Sequence, residues 1–225
     1  MRRLADELSS LGVRAEVVAA DLSEAKARAG LPGRVGALGL RVAVLVNNAG
    51  FGTTGPVCEA DPDREVAMLR TNVEAVADLT TRFVPAMVAR HAGAVLNVAS
   101  AAAFQPVPGQ AGYGATKAFV LSYTQALAAE LAGTGVTVTA LCPGPVATQF
   151  AAVAGFTTEE TAGALPRAMW VPARRVAAAG VDALAAGRLV VIPGIANRVT
   201  ARVAELVPRR LLLPVLARRH PALNR

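Results

Sequence analysis

Residues 94–119 read AVLNVASAAAFQPVPGQAGYGATKAF. The first five, Ala94–Val98, are largely apolar without strict alternation, as a strand buried on both faces of a parallel sheet requires. Ser100 ends the strand. The loop 104–112 is rich in Pro, Gly and Gln, and a long helix is expected from about Tyr113 to Leu131. Tyr113 and Lys117 stand at i, i+4 and so share one face of that helix.

The pattern repeats outward. Arg41–Val46 (RVAVLV) is a second apolar strand, running into Asn47-Asn48-Ala49-Gly50-Phe51-Gly52. Residues 62–90 read as one or two long helices with Asn72 inside. Gly135–Leu141 (GVTVTAL) is a third strand, broken by Cys142-Pro143-Gly144-Pro145. Residues 146–170 are mixed loop and helix, 172–186 a helix, and Leu189–Ile192 a last strand. At the front, 2–10 is an amphipathic helix stopped by Gly12. Ala15–Ala20 (AEVVAA) reads as a short strand ending in Asp21-Leu22, and 23–38 as a weak helix cut by Pro32-Gly33. Strands separated by helices of this length specify an α/β fold with a parallel sheet covered on both faces. No repeat or linker interrupts it, so one domain is expected over 1–197.

Composition narrows the class. The 225 residues are 53% hydrophobic and 17% charged, the reverse of a disordered chain. Two cysteines, Cys58 and Cys142, cannot build a disulfide scaffold, and a reduced, cytoplasmic setting is expected. No His, Cys, Asp and Glu cluster has metal-ligand spacing, so no metal is expected. The formal charge of +7 invites a nucleic-acid reading. Its distribution argues against one. Beyond residue 197 stand seven arginines and one acid, Glu205, so that segment carries +6 and the rest is almost neutral. Aromatics are 4%, too few for base-stacking platforms. The segment 198–225 alternates arginines with apolar runs. It reads either as a capping extension with solvated arginines or as an interfacial segment resting weakly on anionic lipid. Pro208 and Pro214 would interrupt a long helix there.

The chemistry-bearing residues follow the strands. Asp21, Asn47–Gly50, Ser100 and Pro143-Gly144 each come directly after an expected strand, where open parallel sheets bind ligands. An ammonium beside a phenol favours the phenolate, so Lys117 would bring the Tyr113 pKa down toward a working acid/base. Taken alone, the pair is as readily two unrelated polar residues on a helix. Ser100 can hydrogen-bond a carbonyl or alkoxide oxygen, or simply cap the following turn. Asn72 is either functional or a satisfied buried amide.

Together, Asn47-Asn48-Ala49-Gly50, Asn72, Ser100, Tyr113-x-x-x-Lys117 and Pro143-Gly144 closely resemble the short-chain dehydrogenase/reductase family, over most of residues 1–195. The resemblance implies a Rossmann-like doubly wound parallel sheet binding NAD or NADP, and hydride transfer to or from a carbonyl or alcohol carbon. It makes Tyr113 the catalytic acid/base and also a cofactor-binding residue, and Lys117 the holder of the nicotinamide-ribose hydroxyls. Ser100 becomes the residue that orients the substrate oxygen, and Asn72 the support of a water-mediated proton relay. Asp21 and Leu22 would touch the adenine, while Asn48, Ala49 and Gly50 line the adenosine side. Pro143, Gly144, Val146 and Thr148 would pack on the nicotinamide and its carboxamide. The apolar residues of 146–170 (Phe150, Phe156, Met169, Trp170) imply a lid over an apolar alcohol or ketone. Family members often pair through the Tyr113 helix and the helix containing Asn72, so the resemblance implies a homo-oligomer.

One element of the family pattern is absent from the sequence. No strand followed by a glycine-rich turn precedes Asp21. That turn brings the backbone to the pyrophosphate at a helix N-terminus. The sheet is therefore expected without its first two strands, as an N-terminally truncated version, with dinucleotide binding impaired. The alternative to an active oxidoreductase is then an inactive remnant or interaction protein. Without those strands, 42–46 becomes a sheet edge, and 15–20 is expected to move across and pair with it.

Overall fold

The computed structural model describes residues 2–156, 166–219 and 223. Four parallel strands form one sheet in the order β1 (Val44–Asn47), β2 (Gly93–Val98), β3 (Val136–Leu141) and β4 (Val190–Val191). Val95 sits beside Leu45 and Val138, and Leu141 beside Val191. The helices are α1 (Arg2–Ser10), α2 (Ala25–Ala37), α3 (Pro62–Leu69), α4 (Ala75–Ala89) and α5 (Ala111–Glu130). After them come α6 (Phe150–Ala154), α7 (Ala173–Ala185), α8 (Ile195–Leu206) and α9 (Arg209–Arg219). The α/β parallel sheet expected from the strand pattern is therefore present.

Strand pleating sends alternate residues to opposite faces. On one face Leu45, Val95, Val136 and Val138 pack with Val84, Met87 and Leu127 of α4 and α5. On the other, Leu96 and Leu141 pack with Val176 of α7. The sheet is thus doubly wound. A polar ladder crosses the first face. Asn47 Nδ2 donates to Asn97 Oδ1 (2.8 Å) and Thr80 Oγ1 (3.2 Å), and Asn97 Nδ2 donates to Thr124 Oγ1 (3.0 Å). Each of these four groups is buried, and the ladder ties the ends of β1 and β2 to α4 and α5.

The edge at β1 departs from expectation. Residues 13–20 form no strand and do not pair with β1. They lie extended against α2 instead: Arg34 donates to the Ala19 carbonyl (2.8 Å), and Arg14 to the Leu38 carbonyl (3.1 Å). One arginine of α2 and one of the segment itself thus tie the stretch to α2 and the residue after it, and Val44 and Val46 of β1 remain half exposed. Pro32 does not cut α2 either, since its fixed φ is compatible with a helix and only one backbone bond is lost. Pro214 likewise lies inside α9, whereas Pro208 does separate α8 from α9.

Arg28 fastens α2 to α4. Its side chain is fully buried and donates to Asp78 (2.7 Å) and the Leu22 carbonyl (2.7 Å), with Glu74 at 3.2 Å. Burial alone would raise the Asp78 pKa; hydrogen bonds from Arg28 and Arg82 outweigh it and hold the carboxyl below its ordinary value. Arg28→Met leaves these acceptors without their donor. The substitution is expected to cost about 1–3 kcal/mol in chemical denaturation and to speed proteolysis between α1 and α2.

α8 crosses residue 197, the expected end of the domain. Its Ala201 joins the buried cluster of Ala99, Phe104, Val120 and Ala140. The first half of the basic segment is therefore folded onto the body.

Candidate active site

The carboxyl ends of β1, β2 and β3 converge, and the sequence-picked residues stand there. β1 ends in Asn47, followed by the exposed Asn48, Ala49 and Gly50; β2 leads to Ser100; β3 leads to Cys142, Pro143 and Gly144. Ala101 N–H donates to the Pro143 carbonyl (2.8 Å), which joins the Ser100 and Gly144 loops.

Between α3 and α4 the helix widens into a π-turn, Arg70–Glu74, centred on Asn72. Such one-turn bulges are frequent at functional sites. Asn72 is buried and its amide is fully engaged. Nδ2 donates to the Phe51 carbonyl (2.8 Å) and to Thr116 Oγ1 (3.1 Å), and Oδ1 accepts from Phe51 N–H (3.1 Å). One side chain thereby pins the loop after β1 to α5, one residue before Lys117. Gly50 must be glycine for this: a β-carbon there would stand 2.8 Å from Asn72 Oδ1 and 3.6 Å from Lys117 Nζ.

Tyr113 and Lys117 lie on the buried face of α5. Lys117 Nζ donates to the Val98 carbonyl (2.9 Å) and sits 5.8 Å from the Tyr113 ring centroid. Burial presses the lysine pKa down to about 8, partly countered by Cys142. Burial also pushes the Tyr113 phenol up to about 12, against a hydrogen-bonding contact from Ser100 that lowers it. This corrects the expectation of a lowered Tyr113 pKa. The ammonium faces the Val98 carbonyl, and desolvation of the phenol wins. The cover is Phe150 of α6, whose ring lies 5.3 Å from that of Tyr113 at 51°, with Gly52 below both. Ser100 Oγ accepts from Ala102 N–H (3.1 Å) and caps a short 3-10 turn, which leaves its own proton to donate. Cys142 is buried with its thiol pushed up to about 12, so it is no nucleophile.

The remaining sequence-picked residues are dispersed. Asp21 is exposed and accepts from the Ser23 N–H (2.9 Å) and hydroxyl (2.7 Å), which lower its pKa; Leu22 follows it ahead of α2. Val146 packs against the Leu96–Leu141–Val176 cluster, and the exposed Thr148 accepts from Phe150 N–H (3.3 Å). Of the expected lid over 146–170, residues 157–165 lie outside the described residues.

Asn197 was not singled out from the sequence. It is fully buried on α8, donates to the carbonyls of Met169 and Pro193 (2.9 Å each), and packs so closely on Gly144 that no β-carbon would fit. Among the described residues its Oδ1 has no hydrogen-bond partner. The signal available was its place on one helical face with Ala201 and Ala204, at i, i+4, i+7.

The nicotinamide end of a dinucleotide fits what is present. A buried ammonium with one acceptor shown can take ribose hydroxyls beside the exposed Asn48, Ala49 and Gly50.

Comparison with known proteins identifies relatives of the chain. A family model described as short chain dehydrogenase matches residues 1–157. A short chain dehydrogenase of Pseudocercospora fijiensis is 37% identical over 154 residues, covering 68% of this chain and 50% of that protein. Sulfoacetaldehyde reductase 2 of Chromohalobacter salexigens is 36% identical over 155 residues, covering 68% and 61%. The chain thus spans about half to three-fifths of the length of these relatives. Among solved structures, a short-chain dehydrogenase from Sphingobium yanoikuyae in complex with NADPH superposes with TM-score 0.78. It is 28% identical, over 95% of this chain and 81% of that one. A protein from Beutenbergia cavernae described as a putative NAD(P) dependent gluconate 5-dehydrogenase, with NADP bound at low occupancy, gives TM-score 0.71 and 34% identity, over 84% and 79%.

Proposed function

The chain belongs to the short-chain dehydrogenase family, and from that premise we propose that it is an NAD(P)-dependent oxidoreductase acting on an apolar ketone or alcohol, with Tyr113 as acid/base. The observation that carries this reading is the meeting of Asn72, Ser100, Tyr113 and Lys117 at the strand ends, with Asn72 bonded to Thr116 of the helix that carries Tyr113 and Lys117.

When bound, the dinucleotide supplies or accepts the hydride. The protein's own residues do the rest. Lys117, Asn48, Ala49, Gly50, Pro143, Gly144, Val146 and Thr148 would hold it, with Asp21 and Leu22 toward the adenine. The Ser100 hydroxyl donates to the substrate oxygen and fixes its position. Tyr113 Oη gives that oxygen its proton in reduction and takes one in oxidation. Asn72 holds the loop and α5 in register, so that the proton path past Lys117 stays open. Phe150, now against Tyr113, must yield to the substrate, and its ring selects for apolar groups. Small packing residues on the outer face of α5 (Ala115, Ala118) support pairing with a second copy.

The two shifted groups set a pH dependence. A phenol near 12 is protonated throughout the neutral range, which suits proton donation. A lysine near 8 loses its charge above that pH. Carbonyl reduction is expected to be flat below about pH 8 and to fall above it, while alcohol oxidation, needing phenolate, is weak at neutrality. A reduction rate that climbs with pH would contradict the assignment.

Fluorescence titration with NADPH and NADH, followed by turnover of a panel of apolar ketones, tests the reading. Micromolar affinity with turnover supports it; binding without turnover of any ketone contradicts it.

A further inference from the structure

α8 is amphipathic the wrong way round for a surface helix. One face buries Asn197, Ala201 and Ala204. The opposite face, ordinarily polar, carries Ile195, Val199, Val203 and Leu206, exposed at 73%, 56%, 50% and 83%. Their spacing of i, i+4, i+8, i+11 aligns them in one stripe. Arg198 and Arg202, both exposed, run along one edge of it. The chain turns at Pro208 into α9, where Arg209 and Arg210 precede the exposed Leu211, Leu213 and Val215. Arg209 also donates to the Phe104 carbonyl (3.2 Å), which fastens the start of α9 to the body.

A stripe of this kind is covered by lipid or by protein, and charge chooses between them. The segment 198–225 holds +6 of the protein's +7, with Glu205 its one acid. A second copy of this surface would set arginines against arginines. An anionic bilayer meets both features at once: apolar side chains enter the acyl boundary and arginines meet headgroup phosphates. α8 has 12 residues and is about 18 Å long, so it can lie in the interface but not cross it. Among the described residues no helix is long and apolar enough to cross a membrane.

We propose that α8 and the start of α9 dock this protein on an anionic bilayer, with Ile195, Val199, Val203 and Leu206 inserted and Arg198, Arg202 and Arg210 at the headgroups. The inner face of the same helix holds Met169 and Gly144 through Asn197, so the docking helix is also an anchor of the active-site loops.

The test is co-sedimentation of the full chain with vesicles of equal parts phosphatidylglycerol and phosphatidylcholine, and with phosphatidylcholine alone. Binding is expected to the anionic vesicles and not to the neutral ones, weakening as salt rises. Arg198→Glu with Arg202→Glu should lower partitioning roughly twentyfold or more. Val199→Glu with Leu206→Glu should lower it at least about tenfold. All four positions are exposed, and circular dichroism checks that the variants stay folded. Absence of binding to anionic vesicles overturns the proposal. So does equal binding to both vesicle types that none of the substitutions changes. A chain that self-associates, becomes monomeric with Leu206→Glu and never sediments with vesicles assigns the stripe to a second copy instead.

Discussion

Tyr113→Phe lowers the rate of ketone reduction by about 10²–10⁴-fold and changes dinucleotide affinity far less. The substitution removes one hydroxyl and keeps the ring. The contact with Phe150 at 5.3 Å survives, so packing over the site is preserved. What disappears is the proton that would reach the substrate oxygen as the hydride arrives at its carbon. Ser100 can still donate a hydrogen bond there, but a serine hydroxyl is far too weak an acid to finish the transfer. The loss therefore falls on kcat rather than on KM. Steady-state kinetics beside a fluorescence titration of NADPH check both halves. A variant that keeps more than about a tenth of the activity removes Tyr113 from the acid role.

Lys117→Met abolishes measurable turnover and makes the protein more stable. These opposite effects have one cause. A buried ammonium whose pKa has fallen from the ordinary 10.5 to about 8 costs the folded state about 3 kcal/mol at neutral pH. Methionine fills similar volume without a charge. Losing the bond to the Val98 carbonyl returns part of the gain, so the net is about 1–2 kcal/mol, or roughly 2–8 °C in Tm. The sign can be checked further. Between about 8 and 10.5 the unfolded chain binds more protons than the folded one, so wild-type stability gains from Lys117 as pH rises through that window. The advantage of the variant should shrink over the same window. Thermal melts at several pH values read this directly. A variant less stable than wild type at neutrality would mean that Lys117 is held for the fold and not for a ligand.

Much of this molecule is visible in its sequence because parallel strands are buried on both faces and so read as continuous apolar runs. Residues 94–98 and 135–141 are the clear cases, and the strands occupy Gly93–Val98 and Val136–Leu141. The positions of Ser100 and Pro143-Gly144 follow from that alone. The edge strand is shorter and later than 41–46, at Val44–Asn47, because its one neighbour, β2, begins at Gly93 and Val44 already pairs with Ala94. Ala15–Ala20 fails for a related reason. An apolar run becomes a strand only if a sheet edge takes its backbone, and here side chains of Arg34 and Arg14 hold the stretch to α2.

The finer geometry of the site is not legible locally. Nothing in RTNVE announces a π-turn, yet the extra residue it inserts is what turns Asn72 toward Phe51 and Thr116. The pKa of Tyr113 depends on a ring about 37 positions away, Phe150, which no i, i+4 argument could bring near. Asn197 and Arg28 read as ordinary polar residues on helices. Their burial is decided by which helix faces the body, and that is a tertiary fact.

The most direct test is isotope transfer. NADPH carrying deuterium at its reactive ring carbon is incubated with the protein and an apolar ketone, and the alcohol is examined by mass spectrometry. Deuterium on the carbinol carbon with wild type, and none above background with Tyr113→Phe, is the predicted result. A product without deuterium, or no product at saturating NADPH, contradicts the assignment of Asn72, Ser100, Tyr113 and Lys117 as a hydride-transfer site.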